Sequence, residues 1–273
     1  MRFRDSLPDI NRLSIVSAAI MLAFALTQLV SFPAPMISFT IFGILLEFFL
    51  DFNTVITLFT AVLAAAGMDW LIQSNPKKEN YQNRWAYIRH WIVPVLTTFV
   101  ISVALNTFTG GTFWWVIFIL GSLLLMAVLV AEYNVVGGDG VSHPLATVGL
   151  TALSFALYLL LAIAVFSANL RLYVRLPLLG IAALMMISRS LYLRLGRWHT
   201  VWALVNSLVV SEIAVGFHYL PLTPIQFGLL LVGFAYALTS IVTGIKESRQ
   251  DWALWAEPIG MMILMILVSV IWP

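Results

Sequence analysis

The chain contains no cysteine and few charged residues. Its 273 residues are 10% charged, whereas soluble domains average about 25%. The lack of thiols excludes disulfides, thiolate-bound zinc, iron–sulfur clusters and a cysteine nucleophile. The low charge, a hydrophobic content of 62% and a mean hydropathy of +1.00 exclude a water-soluble enzyme and a disordered regulator. We therefore predict an all-α polytopic transmembrane helical bundle, with residues 1–273 as a single integral membrane domain and the lipid bilayer as its partner.

Basic residues are sparse as well. Lys and Arg together number 14, and the net charge is +2. They form no dense patch, so nucleic acid is not an expected partner. Arg2 and Arg4 precede an apolar run that starts at Leu13, as in a signal peptide, but this run is longer than the apolar part of a typical signal. We interpret it as a first span that is retained.

Nine apolar runs have a length suited to a membrane helix, because a bilayer core of about 30 Å needs about 20 helical residues. They cover residues 13–31, 53–73, 91–108, 112–131, 146–168, 174–190, 200–220, 225–243 and 254–272. A tenth run, 36–50, has only 15 residues and lies between Pro35 and Asp51. Hydropathy alone does not say whether this tenth run crosses the membrane.

The Lys and Arg residues decide the number of crossings, since cytoplasmic loops carry an excess of them. If 36–50 crosses, the two sides of the membrane hold 5 and 9 basic residues. If 36–73 makes one net crossing, 12 share one side and only Arg171 and Arg175 lie on the other. We therefore predict nine net crossings of the inner (plasma) membrane, with the N-terminus cytoplasmic and the C-terminus outside.

One net crossing over 36–73 requires an interruption. These 38 residues would form a continuous helix about 57 Å long, nearly twice the bilayer core. We predict a half-helix or re-entrant turn over 36–50, so that the chain is interrupted near 36–53. Interrupted helices often form the binding site of a transporter. The alternative, a run lying in the membrane interface, is disfavoured because 36–50 lacks a charged face.

Glu212 is the acidic residue that lies deepest in a predicted span. The same run, 200–220, also carries other polar side chains: Asn206, Ser207, Ser211 and His218. In a helix the last three fall within about 40° of one another, and Glu212 flanks them. One interpretation is a proton relay or polar binding pocket. The other is a helix–helix contact held by hydrogen bonds.

Glu47 and Asp51 form a second candidate site. Residues four apart share one face of a helix, and two carboxyl groups that close in a low dielectric favour a shared proton or cation. We predict an ion or proton pathway that includes both residues and the polar positions of 200–220. The alternative for Asp51 is a helix N-cap, because a new apolar run follows it directly.

The histidines predict no cofactor. His90, His143 and His199 all lie at predicted cytoplasmic ends of spans, where histidine is common, and neither a metal nor a haem site is expected from them. Glu132, at the cytoplasmic end of another span, has an ordinary boundary position. The sequence therefore favours a function other than catalysis.

Residues 89–168 and 197–272 are alike in outline. Each begins with a basic and aromatic triplet, passes through two runs joined by a tight turn, and enters a third run near a proline. We predict a weak internal repeat, with both copies in the same orientation.

Two stretches, LTALSFALY at 150–158 and FHYLPLTPIQFGLLL at 217–231, resemble an uncharacterised family of multi-pass membrane proteins from green non-sulfur bacteria. The resemblance implies a membrane location and a bacterial source. It implies no activity, and no functional residue follows from it.

Three functions remain open. The first is proton- or cation-coupled transport of a small solute. The second is a structural or assembly subunit of a membrane complex, formed with further copies or with other membrane proteins. The third is a lipid-modifying intramembrane enzyme, which would require His90, His143 or His199 to converge.

Overall fold

The computed structural model describes residues 8–30, 36–41, 44–49, 51–75, 87–107, 111–136, 142–168, 170–249 and 251–271. Within these residues it contains nine α-helices and one β-hairpin. The elements are α1 Ile10–Leu29, β1 Met36–Ile41, β2 Ile44–Phe49, α2 Phe52–Gln73, α3 Ile88–Thr107, α4 Gly111–Val136, α5 Ser142–Ser167, α6 Leu172–Leu195, α7 Thr200–His218, α8 Pro224–Lys246 and α9 Asp251–Ile271. All nine helices are long and apolar enough to cross a membrane. The predicted transmembrane helical bundle is therefore confirmed.

The region 36–50 is interrupted, as predicted, but the predicted half-helix is wrong. β1 and β2 pair antiparallel, with Met36 opposite Phe49 and Ile41 opposite Ile44. Both strands are rich in β-branched and aromatic residues, which favour extended backbone. An antiparallel hairpin brings the chain back toward its starting point. Among the described residues before 74, α2 is therefore the only membrane-length helix that follows α1.

The chain divides into two compact units, residues 1–137 and 138–273. This boundary falls inside the first copy of the predicted repeat, 89–168, whereas the second copy, 197–272, lies wholly in the second unit. The repeat stays a prediction.

The first unit is formed by α1 to α4 and the hairpin. Helix α2 packs against α1, α3 and α4, and α1 also contacts α4. Gly67 of α2 brings that helix close to Val16 of α1, because a side chain at Gly67 would collide with the valine. The hydroxyls of Thr57 and Ser102 share a buried hydrogen bond between α2 and α3. Small and hydroxyl-bearing residues at these contacts are typical of membrane helix packing.

The second unit is formed by α5 to α9, with α8 against α5, α6, α7 and α9. Helix α8 begins at a capping box, in which Thr223 and Gln226 satisfy each other's backbone N–H groups, and Pro224 occupies the first turn. Helix α6 ends at Gly196, whose φ of 67° is in the left-handed region that glycine tolerates. These caps set short connections, so consecutive helices run antiparallel.

Candidate functional site

Glu212 is exposed on the outer face of α7 within the second unit. The inward face of the same helix is formed by Ala203, Asn206, Ser207, Val210 and Ala214. Glu212 follows Ser211 by one residue, and one residue turns a helix by about 100°. The Glu212 carboxylate therefore points away from the inward-facing polar side chains of the same helix, Asn206 and Ser207.

The hydroxyls of α7 bond to their own helix. The Ser207 hydroxyl donates to the carbonyl of Leu204 over 2.9 Å, and the Ser211 hydroxyl donates to the carbonyl of Ser207 over 2.7 Å. Ser211 also packs against Gly180 of α6, where a side chain would lie 2.9 Å from its oxygen. Asn206 is buried at 4% exposure. Of these contacts, the one between Ser211 and Gly180 joins α6 and α7. A pathway along this face stays a prediction.

Glu47 and Asp51 do not share a helical face, because Glu47 lies on β2, opposite Ser38, and Asp51 precedes α2. Asp51 is the N-cap of α2: its carboxylate accepts the backbone N–H of Thr54 over 2.9 Å and also the Thr54 hydroxyl. The capping alternative is thus confirmed. The helical spacing on which the pairing of Glu47 and Asp51 was based is absent, and an ion or proton pathway through them stays a prediction. The Glu47 side chain lies outside the described residues.

A buried hydrogen bond between histidine and glutamate in the first unit was missed in the sequence. His90 of α3 and Glu132 of α4 are 2% and 0% exposed, and His90 Nδ1 lies 2.9 Å from Glu132 Oε2. Arg89 Nε donates to His90 Nε2 over 3.0 Å. Because arginine only donates, Nε2 must be the acceptor, so the ring proton is on Nδ1 and is donated to Glu132. This fixes the tautomer of a buried imidazole between a cation and a carboxylate.

A second charged cluster joins α6, α8 and α9. Glu257 accepts a hydrogen bond from the Tyr236 hydroxyl over 2.5 Å and from Arg249 Nη1 over 2.8 Å, and Arg194 Nη1 lies 3.5 Å from it. Arg249 also pairs with Glu247 over 2.8 Å. Its hydrogen bonds to Glu257 and Glu247 raise the pKa of Arg249 above its ordinary value. This cluster connects the two ends of the α8–α9 turn.

The described residues contain no group of three His, Asp or Glu side chains that could hold a metal ion. Of the three histidines considered for a lipid-modifying site, His90 pairs with Glu132 in the first unit, and His199 is the N-cap residue of α7 in the second. The side chain of His143 lies outside the described residues. These positions therefore give no support to a site formed by all three histidines.

Comparison with known proteins identifies a family. A family model described as "Protein of unknown function (DUF5656)" matches residues 32–272. The matched range includes Glu212, the His90–Glu132 pair and the Glu257 cluster. No curated protein and no solved structure matches the chain.

Proposed function

Since the chain belongs to the DUF5656 family of proteins of unknown function, we propose its function from its own residues: it is a structural subunit of a membrane complex, assembled through the Glu212 face of α7. Membership confirms the resemblance to an uncharacterised family, whereas the bacterial source stays a prediction. The proposed setting is the plasma membrane, with the cytoplasmic N-terminus that the 12-to-2 distribution of basic residues favours.

The observation that carries this proposal is the exposure of Glu212. An ionisable side chain inside a membrane span costs about 2.5–3.5 kcal/mol on insertion scales and almost always faces protein or water. Within the second unit, however, Glu212 lies on the outward face of α7. A partner in the membrane would remove this cost by giving the carboxyl group a hydrogen bond.

The surroundings of Glu212 suit a second helix. Val201, Val205, Leu208 and Gly216 are exposed and lie within about 40° of Glu212 around α7. Space is open where Gly216 would carry a side chain, since no atom lies within 4 Å of that position. Small residues of this kind let membrane helices approach closely. The face is therefore a flat apolar stripe with a single acidic group.

We infer that the partner is a second copy of this chain. A protonated carboxyl group carries both a donor and an acceptor, so two copies of Glu212 across a two-fold axis satisfy each other. No basic residue on the facing helix is then required. The complex contains at least two copies, joined by α7 against α7.

Single-cysteine crosslinking tests this proposal, because the chain has no cysteine of its own. A cysteine at Leu208, one turn from Glu212 on the same face, is expected to form disulfide-linked dimers in native membranes. E212L should lower the dimer fraction, with a loss of roughly 3- to 30-fold in association, since interhelical hydrogen bonds in membranes contribute about 0.6–2 kcal/mol. E212Q should keep most of it, because the amide also donates and accepts.

The matched control is a cysteine at Leu267, which is 53% exposed on α9. Random collision would crosslink both positions, with no dependence on residue 212. Equal crosslinking at 208 and 267, or a yield at 208 that E212L leaves unchanged, contradicts the proposed interface.

Proton-coupled transport of a small solute is the second candidate, and the buried His90–Glu132 pair favours it, since a buried carboxylate bonded to imidazole can carry a proton. In proteoliposomes under an imposed pH gradient, a transporter is expected to move protons faster than protein-free liposomes do. E132Q and E212Q should each stop the added flux. Equal rates with and without the protein would remove this candidate.

A further inference from the structure

Arg175, in the first turn of α6, is a buried cation at one end of the second unit. The residue is 4% exposed. Its guanidinium lies over the ring of Phe166, 4.8 Å from the ring centre, and Nη1 lies 2.6 Å from His218 Nδ1 at the end of α7. Arginine donates in this bond, so His218 Nδ1 is the acceptor. An aromatic face and an imidazole nitrogen therefore surround the guanidinium.

One edge of this guanidinium has no partner among the described residues. Nη1 is bonded to His218, while Nε is buried and makes no hydrogen bond there. The Nε–H and the adjacent Nη2–H point the same way and form a fork. This fork matches two oxygens of a carboxylate or phosphate, which it binds through two parallel hydrogen bonds.

Among the described residues of the second unit, no carboxylate fills the fork. Between Asp139 and Glu247 the sequence holds a single acidic residue, Glu212. Glu212 lies about 9 Å along α7 from His218 and is exposed on the outer face. Of the other carboxylates of this unit, Glu247 follows the opposite end of α8, and Asp251 and Glu257 lie in the first two turns of α9. Asp139 lies outside the described residues. A buried positive charge without a negative partner is unfavourable, which indicates that an external anion completes the site.

We propose that Arg175 and His218 form a phosphate-binding site at this end of the second unit. The N-terminus of α6 adds its positive dipole end to the same place, where a phosphate is favoured. The first turn of a membrane-length helix lies at the depth of lipid headgroups. The phosphate belongs to a lipid headgroup or is free in solution, and the two sources present the same oxygens to the fork.

Thermal unfolding of the full chain, purified in detergent, tests the site with two probes: inorganic phosphate and short-chain dihexanoyl phosphatidylglycerol. We expect a rise in Tm of about 5–10 °C at a probe concentration about 100 times Kd. A rise with phosphatidylglycerol alone assigns the site to a lipid headgroup. A rise with inorganic phosphate as well assigns it to free phosphate. No rise with either probe overturns the proposal.

Arg171 provides the matched control, because R171Q removes the same charge from the same end of α6 at an exposed position. R171Q is expected to keep the rise in Tm, and R175Q to lose it. R175K serves if R175Q does not fold: lysine keeps the charge but lacks the fork, so the rise should again be lost. Equal losses in R171Q and R175Q, or a rise that R175K keeps in full, would show general charge attraction and overturn the site.

Discussion

E132L is expected to lower the free energy of unfolding by about 1–3 kcal/mol, because it leaves the buried N–H donor of His90 facing an apolar side chain. Glu132 is fully buried, and His90 donates to it over 2.9 Å. E132Q should cost less, since its amide oxygen still accepts the hydrogen bond. Equilibrium unfolding of the purified protein in mixed detergent, monitored by circular dichroism, measures both changes.

The double variant H90L/E132L tests how much of the loss in stability comes from the contact between the two side chains. Replacing both partners by apolar groups removes the orphaned donor, so the double variant should be more stable than the sum of the single losses predicts. D69A is the control, because Asp69 is a carboxylate near the end of α2 whose partner Gln73 is exposed. Its expected effect is within about 0.5 kcal/mol. An E132L protein as stable as D69A would contradict the role of the buried pair.

G67A is expected to destabilise the first unit by about 1–3 kcal/mol through overpacking. A Cβ at position 67 would collide with Val16 Cγ1 and would lie 3.0 Å from Cγ2. Valine in a helix is held in one side-chain rotamer, so it cannot turn aside cheaply and α1 must move away from α2. Equilibrium unfolding in detergent again provides the measurement.

Rescue distinguishes this collision from a general effect of alanine. V16A removes both methyl groups that clash, so G67A/V16A should be more stable than G67A, although V16A alone is destabilising. G149A is the control: Gly149 is an exposed helical glycine with no atom within 4 Å of the added Cβ. It should be neutral or stabilising, by up to about 1 kcal/mol. A double variant less stable than G67A would show that Val16 is not the obstacle.

The membrane helices could be predicted from the sequence because their cause is local. Twenty apolar residues suffice to cross a bilayer core, and polar or glycine-rich segments separate the nine runs. The interruption before Asp51 was also predictable, since a chain of 38 residues is too long for one span. The hairpin was not, because a short apolar run forms a strand or a half-helix with the same composition.

The directions in which the polar side chains point were harder to predict from the sequence. Helical spacing correctly placed Ser207 and Ser211 on one face and Glu212 beside it. Which of these faces packs inward depends on α6, whose Gly180 admits Ser211, and one sequence does not reveal that contact. The pairing of His90 with Glu132, which are 42 residues apart in the sequence, also depends on a tertiary contact between helices. Each residue alone resembles an ordinary boundary position, and only tertiary packing makes the pair a buried one.

The measurement that tests the Glu212 interface most directly is the distance between spin labels on two copies of the chain in lipid nanodiscs. A cysteine introduced at Leu208 carries the label, and pulsed electron paramagnetic resonance reports the distance between copies. We predict the short distances of two contacting helices, whose axes lie about 8–10 Å apart, and their loss in E212L. A label at 208 with no nearby second label, in protein that retains Glu212, would contradict the account.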